Sequence, residues 1–201
     1  MFKIIISVAI LMLSIGSVSA SILDVRTPSS TSTSLPVGYN PAPTEPAISF
    51  DIIAYGADLW GNGAFNYTFE YLGYEAGWTN FFISGVDIFN NKTTSIGSTI
   101  SGTQLTSGWL DFSFQTPNGS VTNGSNNLPG GGVTAPNFFI AYDSTDLGVM
   151  FLGLNDDGSS IDADFDDLVV KVTVSAVPEA SSVYFLMFGL VGLLGMARRQ
   201  R

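Results

Sequence analysis

From Ala47 onward the chain alternates apolar and polar residues with a period of two, the signature of half-buried β-strands. Ile48, Phe50, Ile52 and Ala54 share one face of a first strand, and Ser49, Asp51, Ile53 and Tyr55 the other. Phe65, Tyr67, Phe69 and Tyr71 then face away from Ala64, Asn66, Thr68 and Glu70. The same reading predicts strands over Asn80–Phe89, Ser95–Gln104, Trp109–Phe114, Asn137–Tyr142, Val149–Leu154 and Leu168–Ala176. Turn-forming sequences such as Asn118-Gly119, Asn123-Gly124 and Pro129-Gly130-Gly131-Gly132 separate them. About eight short strands without a helical period between them predict an all-β domain over residues 47–176. The expected architecture is an antiparallel β-sandwich, either a jelly roll or another Greek-key arrangement.

The patterning stops at both ends of this domain. Residues 21–46 form a Pro/Ser/Thr-rich spacer; five of the nine prolines and a Ser/Thr run fall between Thr27 and Pro46, a composition poor in apolar area to offset its ordering entropy. The alternative for Leu35–Tyr39 is an extended arm lying along the sheet. Residues 1–20 have the three parts of a signal peptide: a basic start at Lys3, an apolar stretch from Ile4 to Ile15, and the small residues Val18-Ser19-Ala20 before a cleavage point. The predicted mature chain begins at Ser21.

Residues 177–201 (VPEASSVYFLMFGLVGLLGMARRQR) join a polar motif, an uncharged apolar run over 183–197 and a basic end, Arg198, Arg199 and Arg201. The run predicts a transmembrane helix with the arginines as a cytoplasmic stop, so that the upstream chain faces outward. Fifteen residues at 1.5 Å each reach about 22 Å across a hydrocarbon core of about 30 Å, a span suited to a transient anchor. This ending resembles the PEP-CTERM sorting signal of Gram-negative bacteria, with Val177, Pro178 and Glu179 at the motif and Ala180 where the family has a second proline. The resemblance implies processing by exosortase, a transient stay in the inner membrane, and delivery to the cell envelope surface or extracellular matrix. The alternative is an ordinary single-pass anchor.

Two internal stretches resemble recurrent pieces of exosortase-associated β-sandwich domains: Tyr71-Leu72-Gly73-Tyr74-Glu75-Ala76-Gly77-Trp78-Thr79-Asn80, and Asn155-Asp156-Asp157-Gly158 leading through the aspartates to Leu168-Val169-Val170. In such proteins the acid-rich turn enters the last strand just before the sorting motif. This resemblance implies a shared architecture.

Charge and missing residue types narrow the function. Between Ser21 and Pro178 sixteen acids face three bases, Arg26, Lys92 and Lys171. Such a surface repels nucleic acid and anionic lipid and favours cations. The chain has neither Cys nor His, which removes disulfides, Cys-His and Ser-His-Asp chemistry, and the commonest transition-metal ligand. Six carboxylates, Asp156, Asp157, Asp162, Asp164, Asp166 and Asp167, lie within twelve residues, and their repulsion calls for water, salt or a cation. Oxygen ligands favour a hard cation, Ca²⁺ first and Mg²⁺ second. An EF-hand is rejected, because Asp167 stands where Gly is required and Thr173 where the bidentate Glu belongs. A site completed by a distant group such as Glu75 remains open beside a solvated acidic loop whose aspartates accept backbone hydrogen bonds.

Trp60, Trp78 and Trp109 suggest a stacking platform for sugar rings, with core or rim packing as the alternative. A carboxylate-based polysaccharide hydrolase needs two acids about 5–10 Å apart across a cleft, and the sequence pairs none. Asn66, Asn91, Asn118 and Asn123 begin N-x-Ser/Thr triplets, which in a bacterium report loop composition. The expectation is an exported, non-enzymatic structural or adhesive protein with exosortase as partner. A calcium-dependent module binding exopolysaccharide is the alternative.

Overall fold

The computed structural model describes residues 21–36, 39, 50–127, 135–158 and 164–177. Among them are fourteen strands and no helix, and every strand pairing is antiparallel. The strands are β1 Leu23–Arg26, β2 Ser30–Ser32, β3 Ile52–Tyr55, β4 Asp58–Gly61, β5 Phe65–Gly73, β6 Phe81–Ser84 and β7 Asp87–Asn90 in the first half. In the second half they are β8 Thr99–Gln104, β9 Gly108–Trp109, β10 Ser113–Thr116, β11 Gly119–Thr122, β12 Asn137–Asp143, β13 Asp146–Asn155 and β14 Leu168–Ala176.

A seven-stranded sheet has the order β2-β3-β12-β13-β14-β5-β8; a four-stranded sheet runs β11-β10-β6-β7 and a three-stranded one β1-β4-β9. Both smaller sheets pack on one face of the large one. Phe65, Phe69, Tyr71, Phe138, Ile140, Leu152, Val170 and Val172 of the large sheet meet Leu23, Leu59, Phe82, Phe114 and Val121 of the small sheets in one core. Aromatic rings lock the layers together: Phe69–Phe82 lie 4.8 Å apart between centroids, Phe114–Phe138 5.7 Å and Phe112–Phe138 5.4 Å. Each phenylalanine buried there contributes about 1.5–3 kcal/mol, the main source of stability in a chain with no disulfide.

The alternation of β5 appears as predicted: Phe65 and Phe69 are buried while Asn66 is exposed. The centre of the sheet departs from the sequence pattern. β12 buries Phe138 and Ile140 on one side and Phe139 and Ala141 on the other, as a continuous apolar run in a strand covered on both faces allows. Ile53 and Tyr55, expected on an outward face, therefore join a second cluster with Leu72, Phe139, Phe151, Phe165 and Val169. Phe50 packs there too, separated from Ala54's face because β3 starts only at Ile52.

Three further expectations change. Asn80–Phe89 is a hairpin rather than one strand, with Gly85 at φ +60° in the turn between β6 and β7. Trp109–Phe114 splits into β9 and β10, which belong to different sheets. The segment read as a spacer supplies β1 and β2, paired with β4 and β3, and Leu35 and Tyr39 cover the second cluster. Backbone pairing along a sheet edge needs no apolar repeat, and Leu23 is fully buried.

Candidate functional site

The acidic segment lies at one end of the large sheet, where β13 leaves and β14 enters. Asp166 accepts the Glu75 N–H on its backbone carbonyl at 2.8 Å, and the Leu154 carbonyl accepts the Asp167 N–H at 3.2 Å. These bonds bring the end of β5 beside the chain entering β14. Glu75, Asp164 and Asp166 converge, with one carboxylate oxygen from each lying within 4.8 Å of the others. Glu75 is exposed, Asp164 half-buried and Asp166 fully buried.

The residue between the two aspartates explains the convergence. Phe165 adopts φ +64°, a left-handed conformation costly for a bulky side chain. Its ring is buried, 5.4 Å from Tyr55 and 5.6 Å from Phe139 between centroids, so apolar packing offsets the backbone cost. Gly153 makes room for this turn, since a Cβ there would collide with the Phe165 carbonyl and the Phe139 ring.

Asp156 and Asp167 form a second, linked part of the cluster. Asp167 Oδ2 accepts the Asp156 N–H at 2.8 Å, and Asp156 Oδ2 accepts from Asn80 Nδ2 at 2.7 Å. The Asp156 carbonyl accepts from Thr116 Oγ1 at 3.1 Å. Asn80 Oδ1, also buried, has no hydrogen-bond partner among the described residues and is an acceptor of the type that a hard cation uses. The Asp167 carboxyl is pushed up to about 8, chiefly by burial and further by Asp156, Asp164 and Asp166, against the lowering effect of the Asp156 N–H. Such a carboxyl marks an excess of negative charge in a poorly hydrated place.

The sequence-predicted acids are thus only partly a solvated loop. Asp156, Asp166 and Asp167 are buried, Asp157 and Asp164 are half-buried, and Asp162 lies outside the described residues. Asn80 escapes sequence reading because it reaches Asp156 across 76 positions.

The three tryptophans do not make one platform. Trp60 and Trp109 are register partners of β4 and β9, with rings edge-to-face at 5.0 Å. The Arg26 guanidinium lies 4.0 Å from the Trp60 ring centroid and 6.0 Å from that of Trp109. Trp78 stands on the β5–β6 loop, 43% exposed, with no ring contact to either. Arg26 was invisible as a partner because the pairing of β1 with β4 has no sequence signal. Two of the asparagines in N-x-Ser/Thr triplets, Asn91 and Asn123, are buried; Asn123 bonds Leu59 N, Leu59 O and Leu110 O and so ties β4 to the neighbouring chain.

At the C-terminal end the described chain stops at Val177. Among the described residues no helix is long and apolar enough to cross a membrane, and the span expected over 183–197 lies outside them. Pro178, Glu179, Arg198, Arg199 and Arg201 also lie outside, as does the signal peptide expected over 1–20. No curated protein and no solved structure matches the chain. Residues 176–201 match the PEP-CTERM protein-sorting motif, which implies an exported protein that is processed at the membrane by exosortase.

Proposed function

We propose that the β-sandwich is the non-catalytic cargo of this sorting signal, with a structural or adhesive role on the envelope surface or in the extracellular matrix of a Gram-negative bacterium. The carrying observation is contiguity: the matched motif begins at residue 176, the last residue of β14. No linker separates the folded sheet from the sorting signal, so the domain is held close to the membrane until it is processed. Catalysis by paired carboxylates fits poorly, because Asp166 has no accessible surface with which to touch a polysaccharide. Fractionation of cells with and without exosortase tests the reading. The expected result is a shortened, surface-associated product only when the enzyme is present; equal full-length retention in the membrane of both strains would favour a plain anchor.

Calcium is the ion this domain would use, with Mg²⁺ second. Three carboxylate oxygens within 4.8 Å of one another, one of them on the fully buried Asp166, repel one another, and a divalent cation relieves that repulsion. The larger, more flexible coordination sphere of Ca²⁺ suits ligands drawn from two separate segments. At a calcium concentration a hundredfold above Kd the fold gains about 2.7 kcal/mol. Melting of the purified protein in millimolar CaCl₂ against EDTA checks this, and the gain is expected to disappear in Asp164→Ala/Asp166→Ala. An identical melting temperature in both buffers would remove calcium from the account.

A further inference from the structure

We propose that the groove between Tyr67 and Trp109 binds a neutral oligosaccharide. This names the partner of the adhesive role proposed above and depends on that role for its biological sense, whereas its geometry stands independently. The groove has a volume of about 370 Å³ and is lined by Tyr67, Thr103, Gln104, Ser107, Trp109 and Asp111 among others. That volume lies within the range of about 300–1,000 Å³ typical of small-ligand sites.

Its walls are fixed before any ligand arrives. Gln104 Nε2 donates to the carbonyls of Thr106 at 3.0 Å and Gly108 at 3.1 Å, folding the β8–β9 loop over its own side chain. Ser107 Oγ accepts the Gly63 N–H at 2.8 Å, and Thr103 Oγ1 donates to Asn66 Oδ1 at 2.7 Å. Two glycines seat the aromatic rings. A Cβ at Gly102 would collide with the phenol of Tyr67, and one at Gly124 would collide with the Trp109 indole. The perpendicular ring of Trp60, 5.0 Å away between centroids, braces Trp109, which nevertheless remains 40% exposed.

The lining chemistry selects the ligand class. A sugar presents C–H faces that stack on aromatic rings and hydroxyls that bond to amides, hydroxyls and carboxylates. The groove offers all of these and no Val, Leu, Ile or Met side chain, which disfavours a lipid or an apolar peptide. Asp111 is its one carboxylate and no base lines it. That charge disfavours acidic polymers, and a single carboxylate without a partner fits binding rather than glycoside hydrolysis, which uses two.

The test is calorimetric titration of the purified protein with cellohexaose, chitohexaose and mannohexaose, and with an alginate hexamer as the acidic competitor. At least one neutral hexasaccharide is expected to bind, and Trp109→Ala is expected to weaken it about tenfold or more. Trp109→Phe, which keeps a stacking ring on Gly124, is expected to recover part of the affinity. Trp78→Ala, outside the groove, should leave binding unchanged. The proposal fails if none of the three neutral sugars binds in the millimolar range, if alginate binds as tightly, or if Trp109→Ala binds normally while melting like the parent. Because the titration uses protein in solution, its failure is separate from a failure of sorting, which the cell fractionation reads.

Discussion

Asp58 sits in β4 with its carboxylate buried and Oδ1 accepting the Gly124 N–H at 2.8 Å. Burial raises its pKa, and the Gly124 bond lowers it less. A carboxyl whose folded pKa exceeds its unfolded value of about 3.9 favours the fold while protonated. That contribution is fully present below the unfolded pKa and is lost as pH rises through the folded one. Arg26 stands opposite Asp58 in the register but pairs with Asp24 at 3.5 Å, so the ionised form of Asp58 gains no salt bridge there to offset its burial. Asp58→Asn keeps an oxygen for Gly124 and removes the charge. The variant is expected to melt roughly 2–4 °C above the parent at pH 7, the shift that about 1 kcal/mol gives in a chain of this size, with the gap closing toward pH 4. Calorimetric melts across that range decide it; a variant less stable than the parent at pH 7 would show that the charge is used.

Strand length and burial decide how much of each element can be read in advance. β5 is visible from its alternation, and β12, β13 and β14 from their density of apolar residues, because several consecutive side chains meet the core. β4, β7 and β11 have four residues each, too few for a period-two pattern to stand out. The β6–β7 hairpin deceives for another reason: Val86 and Ile88 continue the apolar rhythm past the turn although they are 93% and 55% exposed. β2, Ser30–Ser32, contributes backbone bonds at the edge of the sheet and no buried side chain, so its composition resembles a spacer. The acidic cluster divides in the same way. Its richness in aspartate and the candidacy of Glu75 are legible, whereas the turn at Phe165 that aligns Asp164 with Asp166 depends on a cavity among Tyr55, Phe139 and Gly153. Burial of Asp156, Asp166 and Asp167 follows from that tertiary fit, which local charge density does not reveal.

At the scale of the whole molecule, the sorting signal and the fold meet at one residue, and that junction can be cut cleanly. β14 lies between β13 and β5 inside the large sheet, and its pairing with β5 runs to the end, Ser175 opposite Asn66 and Ala176 opposite Phe65. Every strand among the described residues lies upstream of Val177. A chain ending at Val177 therefore retains every described pairing and is expected to melt within about 2 °C of the full-length protein, a difference worth less than about 1 kcal/mol. Expressed with its own N-terminal segment, it should leave the membrane fraction and appear soluble outside the cytoplasm. A chain ending at Val172 loses the last four pairings with β5 and buried Val174, which uncovers the Phe65 end of the core. Its melting temperature should drop by several degrees, since removing a buried aliphatic side chain alone costs about 2–5 kcal/mol. If the chain ending at Val177 were as unstable as the shorter one, residues beyond the sheet would belong to the fold, and the division between cargo and signal at Ala176 would have to be abandoned.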